Sequence, residues 1–225
     1  RGLLRLEMAD IEQLPEEVGE EIKAEEGTYH DDTFGEYHPS QIAGCELGAF
    51  LDFMMEKEVP MNQYIFSGTA VHYYLQETGI LSRALHNIGH HYVNTSFEVG
   101  RKKEIAPGVN IVGRADILCS DDEHQWVIDI KYSSISAQNN KGRMMKYARQ
   151  VNTYCGLLGG DKWGILVVNS RADNVPDEIE IYTNDFHEDD WEEVKDKAKN
   201  IHEALDHFGY PEGERWDKQQ LKRQG

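Results

Sequence analysis

The sequence predicts an α/β domain with a mixed central sheet flanked by helices. Three observations carry that prediction. Apolar residues recur at helical spacing through the segment that starts at Pro39, alternate with period two from about residue 92, and return to helical spacing from Lys141. A continuous apolar run from Trp163 to Val168 then adds a strand of the kind buried on both faces. Elements alternating in this way pack as one layered unit, and no internal repeat or low-complexity linker divides the chain.

The elements follow in order. Residues 1–36 read as an acidic helical extension: Ile11, Leu14 and Val18 make a weak helix face among Glu16, Glu17, Glu20, Glu21, Glu25 and Glu26, and Gly27 to Gly35 is loop-like. Pro39-Ser40 predicts a helix start with Ser40 as N-cap; Ile42, Cys45, Ala49 and Phe53 form its apolar face, and Pro60 ends it. A second helix starts at Ser67-Gly68 and carries Val71, His72 and Leu75, with Leu81 and Leu85 in line to extend it. Residues 92–99, 109–119 and 125–132 read as strands, with Pro107-Gly108 and Asp121-Asp122-Glu123 as the turns. A helix over 141–158 is stopped by Gly159-Gly160. Glu178 to Tyr182 alternates and suits an outer strand. The last helix sets Trp191, Val194, Ala198, Ile201, Leu205 and Phe208 on one face, and Pro211 closes it. The expected organisation is an acidic extension over 1–36, a single domain over 37–210 and a polar tail over 211–225.

Composition narrows the function classes. The chain has 225 residues, a mass of 25.8 kDa and 39% hydrophobic residues, enough to fill a core. No apolar run approaches the ~18–20 residues of a membrane span, and no signal-peptide pattern opens the chain. The first residue is Arg1, so a trimmed start is expected. Three scattered cysteines, Cys45, Cys119 and Cys155, do not make a disulfide framework, so a reducing, cytoplasmic setting is expected.

The net charge of −18 argues at first against a nucleic-acid partner, because phosphates attract Lys and Arg. Its distribution removes the argument. Residues 1–36 carry −9, residues 37–97 carry −3, residues 98–171 carry +3 and residues 172–225 carry −9. The acidity sits at the ends and the middle is mildly basic. One account of the flanks is a very salty cytoplasm, where the Debye length shrinks to ~3 Å at ~1 M salt. The 13 Lys against 10 Arg do not show the lysine-poor pattern expected of a halophile.

The chemistry concentrates in that basic middle. In Trp126-Val-Ile-Asp-Ile-Lys131, strand alternation sends Asp129 and Lys131 to one side and Ile128 and Ile130 to the other. The plain alternative is a surface ion pair on an edge strand. One strand earlier, Gly113-Arg-Ala-Asp116 places a second carboxylate late in an apolar strand, and antiparallel pairing brings Asp116 close to Asp129. Two such carboxylates repel unless a cation lies between them, and oxygen-rich sites suit Mg²⁺ or Mn²⁺. Lys131 then orients a water or steadies charge on a phosphoryl oxygen. On the helix over 141–158, Arg143, Tyr147, Gln150 and Tyr154 share one face beside Lys141, Lys146 and Arg149, a phosphate and base platform or else an ordinary solvated face. His72 is a candidate metal ligand or a plain polar helix residue.

Taken in order, Ser67-Gly-Thr-Ala-Val-His72, Gly113-Arg-Ala-Asp116, Asp129-Ile-Lys131 and Gln150-Val-Asn-Thr-Tyr154 resemble the PD-(D/E)xK nuclease superfamily, in its RecB-like branch with the CRISPR-associated exonucleases. The resemblance covers about residues 38–170. It implies a restriction-endonuclease-like core and a Mg²⁺- or Mn²⁺-dependent deoxyribonuclease acting on single strands or duplex ends, with endonucleolytic cleavage also compatible. It implies that His72, Asp116, Asp129 and the Ile130 carbonyl are metal ligands and that Lys131 is the catalytic lysine. Gln150 and Tyr154 are then the helix motif that orders the site, and Glu98 supports it. Lys141, Arg143, Lys146, Tyr147 and Arg149, with Arg101, Lys102 and Lys103, are the expected DNA contacts.

Many relatives in that branch hold a four-iron cluster on four cysteines. Cys45 matches the first by position, but none follows Cys155, so no iron–sulfur cluster is expected and Cys45 is expected to be a buried small hydrophobe. Two other readings remain at this point: a non-catalytic interaction protein whose acidic flanks mimic a phosphate backbone for a basic protein partner, and an RNA-processing hydrolase.

Overall fold

A computed structural model of the chain describes residues 33–54, 71–72, 75, 94–133, 141–169 and 179–209. Those from Phe34 onward belong to one compact unit. The acidic arm, the Pro60 stop, the Ser67-Gly68 start, Leu81, Leu85 and Pro211 lie outside the described residues.

The elements run β1 (Glu36–Tyr37), α1 (Pro39–Ile42), α2 (Glu46–Met54), β2 (Asn94–Ala106), β3 (Val109–Ser120), β4 (Gln125–Ser133), α3 (Lys141–Leu158), β5 (Lys162–Asn169), β6 (Ile179–Asp185) and α4 (Glu188–Phe208). Val71, His72 and Leu75 are also helical. The sheet is mixed. β3 pairs antiparallel with β2 and with β4, β4 runs parallel to β5 through the α3 crossover, and β6 closes antiparallel on β5.

The sheet separates two cores. Val127, Ile165 and Val167 face one side, where they meet Tyr37, Phe53, Val151, Trp191 and Ile201. Their strand neighbours Ile128, Leu166 and Val168 face the other, with Ile117, Ile130 and Leu75. This is the period-two alternation of fully buried strands.

Several expectations shift. The first helix is broken at Ala43–Cys45, and its N-cap is His38 rather than Ser40: Pro39 occupies the first turn, where its missing N–H costs nothing, and the His38 N–H donates to Gln41 Oε1 at 3.0 Å. Cys45 falls in the break and is exposed, because the α1 periodicity does not continue through it. β2 extends to Ala106, well past residue 99, since its charged half is held by a full ladder to β3. α4 ends at Gly209, whose φ of +73° leaves the helix, and Phe208 is 58% exposed. α3 matches its expected limits, and Gly159 takes the left-handed φ of +84° that stops it.

Candidate active site

The site forms where the sheet opens. β2 pairs along the length of β3, so β1 and β4 must share the other edge of β3. β1 takes Asn110 and Ile111, and β4 takes Ile117 to Ser120. Between them the edge from Val112 to Asp116 has no strand partner among the described residues. At this level the start of α1 and the Tyr154 ring press on the face of β3: a Cβ on Gly113 would lie 2.8 Å from Tyr154 and 3.0 Å from Pro39. A glycine inside an apolar strand is the sequence sign of such close approach.

At the end of this gap the strands change face. Ile111 and Ala115 belong to one core, whereas Ile117 and Cys119 belong to the other. β2 does the same: Val99 packs with the first core and Phe97 with the second. Glu98 lies between them with φ +51°, the one non-glycine residue in the left-handed region among those described. An outlier of this kind is held in place by its surroundings and marks functional sites. The two slips, at Glu98 and Asp116, lie at one level of the sheet.

They bring three ligand types together. One side-chain atom from each of His72, Glu98 and Asp116 lies within 4.8 Å of the other two. His72 Nδ1 is 3.6 Å from Asp116 Oδ1, and the other Asp116 oxygen accepts the Ile130 N–H at 2.5 Å, spanning the gap between β3 and β4. Glu98 also pairs with Arg114 Nε at 2.8 Å.

Asp129 and Lys131 emerge beside them from β4, which pairs with β5 throughout but with β3 only as far as Ile128, and their burial excludes the surface ion pair. Lys131 Nζ lies 2.6 Å from Asp129 Oδ2 and 5.2 Å from the Tyr147 ring centre. The buried Asp129 carboxylate therefore has the Lys131 ammonium as its close counter-charge. Gln150 Nε2 donates to Tyr154 Oη at 3.4 Å, and both side chains are buried.

The electrostatics follow from burial and pairing. Burial opposes the charged form of His72, but the Asp116 carboxylate outweighs it and raises the imidazole above its ordinary range. Burial likewise pushes Asp116 upward, yet His72, Lys131 and the Ile130 N–H together hold it below the usual carboxylate range. Asp129 goes the other way, to about 6, because burial and the Asp116 charge exceed what Lys131 returns. Lys131 is raised: its burial is overcome by the Asp129 and Asp116 carboxylates. Tyr154 is pushed up to about 12, by burial first and then by Asp129.

Of the expected site residues, the fold thus gathers His72, Asp116, Asp129, Ile130, Lys131, Tyr147, Gln150 and Tyr154. Lys141 and Arg143 are exposed on the N-terminal half of α3. Lys146 and Arg149 face away from Lys131, toward the α1–α2 break and α4, where Arg149 Nη1 lies 3.9 Å from Glu193. The basic stretch of β2 has structural partners: Arg101 donates to Leu158 O at 3.4 Å and Lys103 to Gly156 O at 3.1 Å, capping α3, while Lys102 pairs with Glu36 at 2.5 Å. Sequence reasoning passed over Arg114 as a partner of Glu98, for which the alternation gave no signal.

A cluster of imidazole and carboxylate ligand atoms from His72, Glu98 and Asp116, with the buried Asp129 carboxylate beside it, fits a hard divalent cation. The sequence pattern of the PD-(D/E)XK nuclease superfamily matches residues 4–219. The chain belongs to this superfamily. Nuclease chemistry, hydrolysis of a phosphodiester, is its family activity, and a divalent cation is the family's cofactor class.

No curated protein matches the chain. Among solved structures, this nuclease is similar in fold to SSO0001, at 18% identity and a TM-score of 0.57 over 85% of this chain and 87% of that one. It is similar also to LHK-Exo, an alkaline exonuclease from Laribacter hongkongensis, at 14% identity and a TM-score of 0.54 over 85% and 93%. The complex of LHK-Exo with dAMP gives the same identity and TM-score over 78% and 90%. No helix among the described residues is long and apolar enough to cross a membrane.

Proposed function

We propose that the chain is a Mg²⁺- or Mn²⁺-dependent deoxyribonuclease that degrades DNA from single strands or duplex ends. The observation that carries the reading is the gathering of Asp116, Asp129 and Lys131 at the opening between β3 and β4, with His72 and Glu98 closing the same space. The exonuclease character of a structural neighbour supports attack at ends.

His72, Asp116, Asp129 and the Ile130 carbonyl are the residues that would hold the cation, with Glu98 within reach. Bound there, it supplies a Lewis acid that acidifies a water and offsets charge on the phosphodiester oxygens. Lys131 is a donor rather than a base. The two carboxylates hold its proton firmly, so its ammonium points positive charge and N–H groups at a water or at an oxygen gaining charge. The Tyr147 ring and Asp129 fix that ammonium from two sides. Gln150 and Tyr154, both buried and joined by a hydrogen bond, back the strand opening from α3.

The test is cleavage of end-labelled linear and circular single-stranded DNA, with an RNA strand of the same sequence as competitor. Loss of cleavage in both Asp129→Ala and Lys131→Ala supports the site, and undiminished cleavage by both purified variants sinks it. Intact circles beside degraded linear strands identify an exonuclease.

A further inference from the structure

Arg114 stands beside the cation cluster without belonging to it. The β2–β3 ladder pairs Phe97 with Ile117 and Val99 with Ala115, which sets Glu98 level with Asp116. Two carboxylates directly across a ladder repel each other. The Asp116 charge is answered by His72 at 3.6 Å and by the Ile130 N–H at 2.5 Å. The Glu98 charge is answered from β3 itself. Arg114 is paired with Gly100, which makes it the diagonal neighbour of Glu98, and its Nε lies 2.8 Å from Glu98 Oε2.

We propose that Arg114 is a positioning residue for the divalent cation: by holding Glu98 Oε2 it fixes the carboxylate beside His72 and Asp116, with the second oxygen turned to the ion. The inference rests on the nuclease reading of the site and takes Glu98 as one of the ligands. Stability alone does not account for the pair. Its side chains are 43% and 36% exposed, and an ion pair so exposed contributes little. Glu98 meanwhile occupies a left-handed φ of +51°, which a residue with a Cβ adopts only at a cost. That conformation is what brings its carboxylate within 4.8 Å of the His72 and Asp116 ligand atoms. A carboxylate has two oxygens, so one can accept from an arginine while the other meets a cation. Ligating carboxylates are commonly held by such an outer partner, which sets their direction. Arginine suits the task better than lysine, because Nε is a directed donor in a rigid plane. Its positive charge by itself would only repel a cation. An Arg114 that acted through its field alone would therefore oppose the ion, whereas one that acts through Glu98 favours it.

The test is calorimetric titration of the full chain with Mn²⁺ alone, without nucleic acid. Arg114→Lys keeps the charge and removes Nε, and it should weaken Mn²⁺ binding several-fold, by less than the loss of Glu98 itself. Glu98→Gly supplies the second background, since glycine accepts the left-handed φ and leaves the fold in place. There Arg114→Lys should change Mn²⁺ affinity by less than about twofold, the mark of a residue that works through Glu98. Equal losses in both backgrounds would assign Arg114 to the fold or to the ion directly and overturn the proposal. Unchanged or tighter Mn²⁺ binding by Arg114→Lys, with the wild type binding Mn²⁺ and cleaving DNA, would overturn the role of Arg114 and leave the nuclease standing. A wild type that neither binds Mn²⁺ nor cleaves would overturn the nuclease reading and this proposal with it. The affinity for a DNA single strand in EDTA should be the same with Arg114 or Lys at this position. A fall there with Mn²⁺ affinity intact would make Arg114 a substrate contact instead.

Discussion

Replacing Lys131 by Met should destabilise the metal-free protein far more than deleting a surface charge, and the structure sets the size of the effect. The two groups lie 2.6 Å apart, with only 3% of the Asp129 side chain and 19% of the Lys131 side chain exposed. Their attraction is ~6 kcal/mol at an effective dielectric of 20, largely offset by desolvation. Removing the cation leaves Asp129 to be buried charged or to take up a proton. The second route sets the ceiling. Holding a carboxyl protonated at pH 7.5, against an ordinary value of 3.8 in the unfolded chain, costs about 5 kcal/mol. The expected loss at pH 7.5 is therefore about 3–5 kcal/mol, the range found for breaking a buried pair.

The sign with pH is fixed by the same argument. A carboxyl whose folded value is raised costs nothing below the unfolded value and progressively more above it. At pH 5 the ceiling falls to about 1.6 kcal/mol, so most of the Lys131→Met effect should vanish there. Asp129→Asn in the same chain removes the orphaned charge and should recover at least half of the loss at pH 7.5, while cleavage stays absent. Urea unfolding in EDTA, followed by tryptophan emission from the buried Trp126, Trp163 and Trp191, measures all three chains. A loss under about 1 kcal/mol at pH 7.5, or no recovery in the double variant, would refute the picture of a buried and mutually dependent pair.

Three further outcomes follow from the same geometry. Tyr147→Leu should lower kcat about tenfold with little change in KM, while Tyr147→Phe keeps the ring under Lys131 and stays near wild type; equal loss in both would assign the effect to the hydroxyl. Glu98→Ala should weaken Mn²⁺ binding, measured by calorimetry, by about tenfold or more, and unchanged affinity would place Glu98 outside the cation site. Arg101→Ala with Lys103→Ala should cost about 1–2 kcal/mol of stability through the α3 carbonyls they cap and leave the salt slope of DNA binding alone; a shallower slope would return them to the DNA contacts.

Much of this fold was legible because its elements are set by local rules. α3 is bounded in the sequence by polar residues before Lys141 and by Gly159, and its limits coincide with those expected. Asp129 and Lys131 share a side because strand alternation leaves no choice, and the depth of β4 in the sheet follows from the apolar run of β5 beside it. The misreadings share a different cause. Cys45 fits the helical spacing of Ile42 and Ala49, but the chain turns at Gly44, and periodicity cannot register a break that keeps the count. The basic run Arg101–Lys103 looks like a phosphate contact until β2 is seen to end beside the α3 carbonyls. Glu98 is the hardest case, since its role comes from a face change shared by two strands, and that is a property of the pairing and of no single segment.

The shared face change also explains why carboxylates can stand so close together in an interior. A regular β3 would keep Asp116 opposite the face of Ala115 and Ile117 alike, with its oxygens confined to one side of the sheet. The slip instead turns one oxygen toward the Ile130 N–H and the other toward His72, so each carboxylate oxygen meets a donor or cation before it meets Asp129. The opposite sign is stored elsewhere. α4 places Glu188, Asp189 and Asp190 in its first turn, where the helix dipole favours them, and commits Glu192, Glu193 and Asp196 to Lys195, Lys197 and Lys199 along its own surface. Acids used this way are short-ranged at ordinary salt, where charges further apart than ~8 Å are screened. They repel a polyanion that approaches over α4. Lys141, Arg143 and Lys146 carry the opposite sign and are exposed on the N-terminal half of α3.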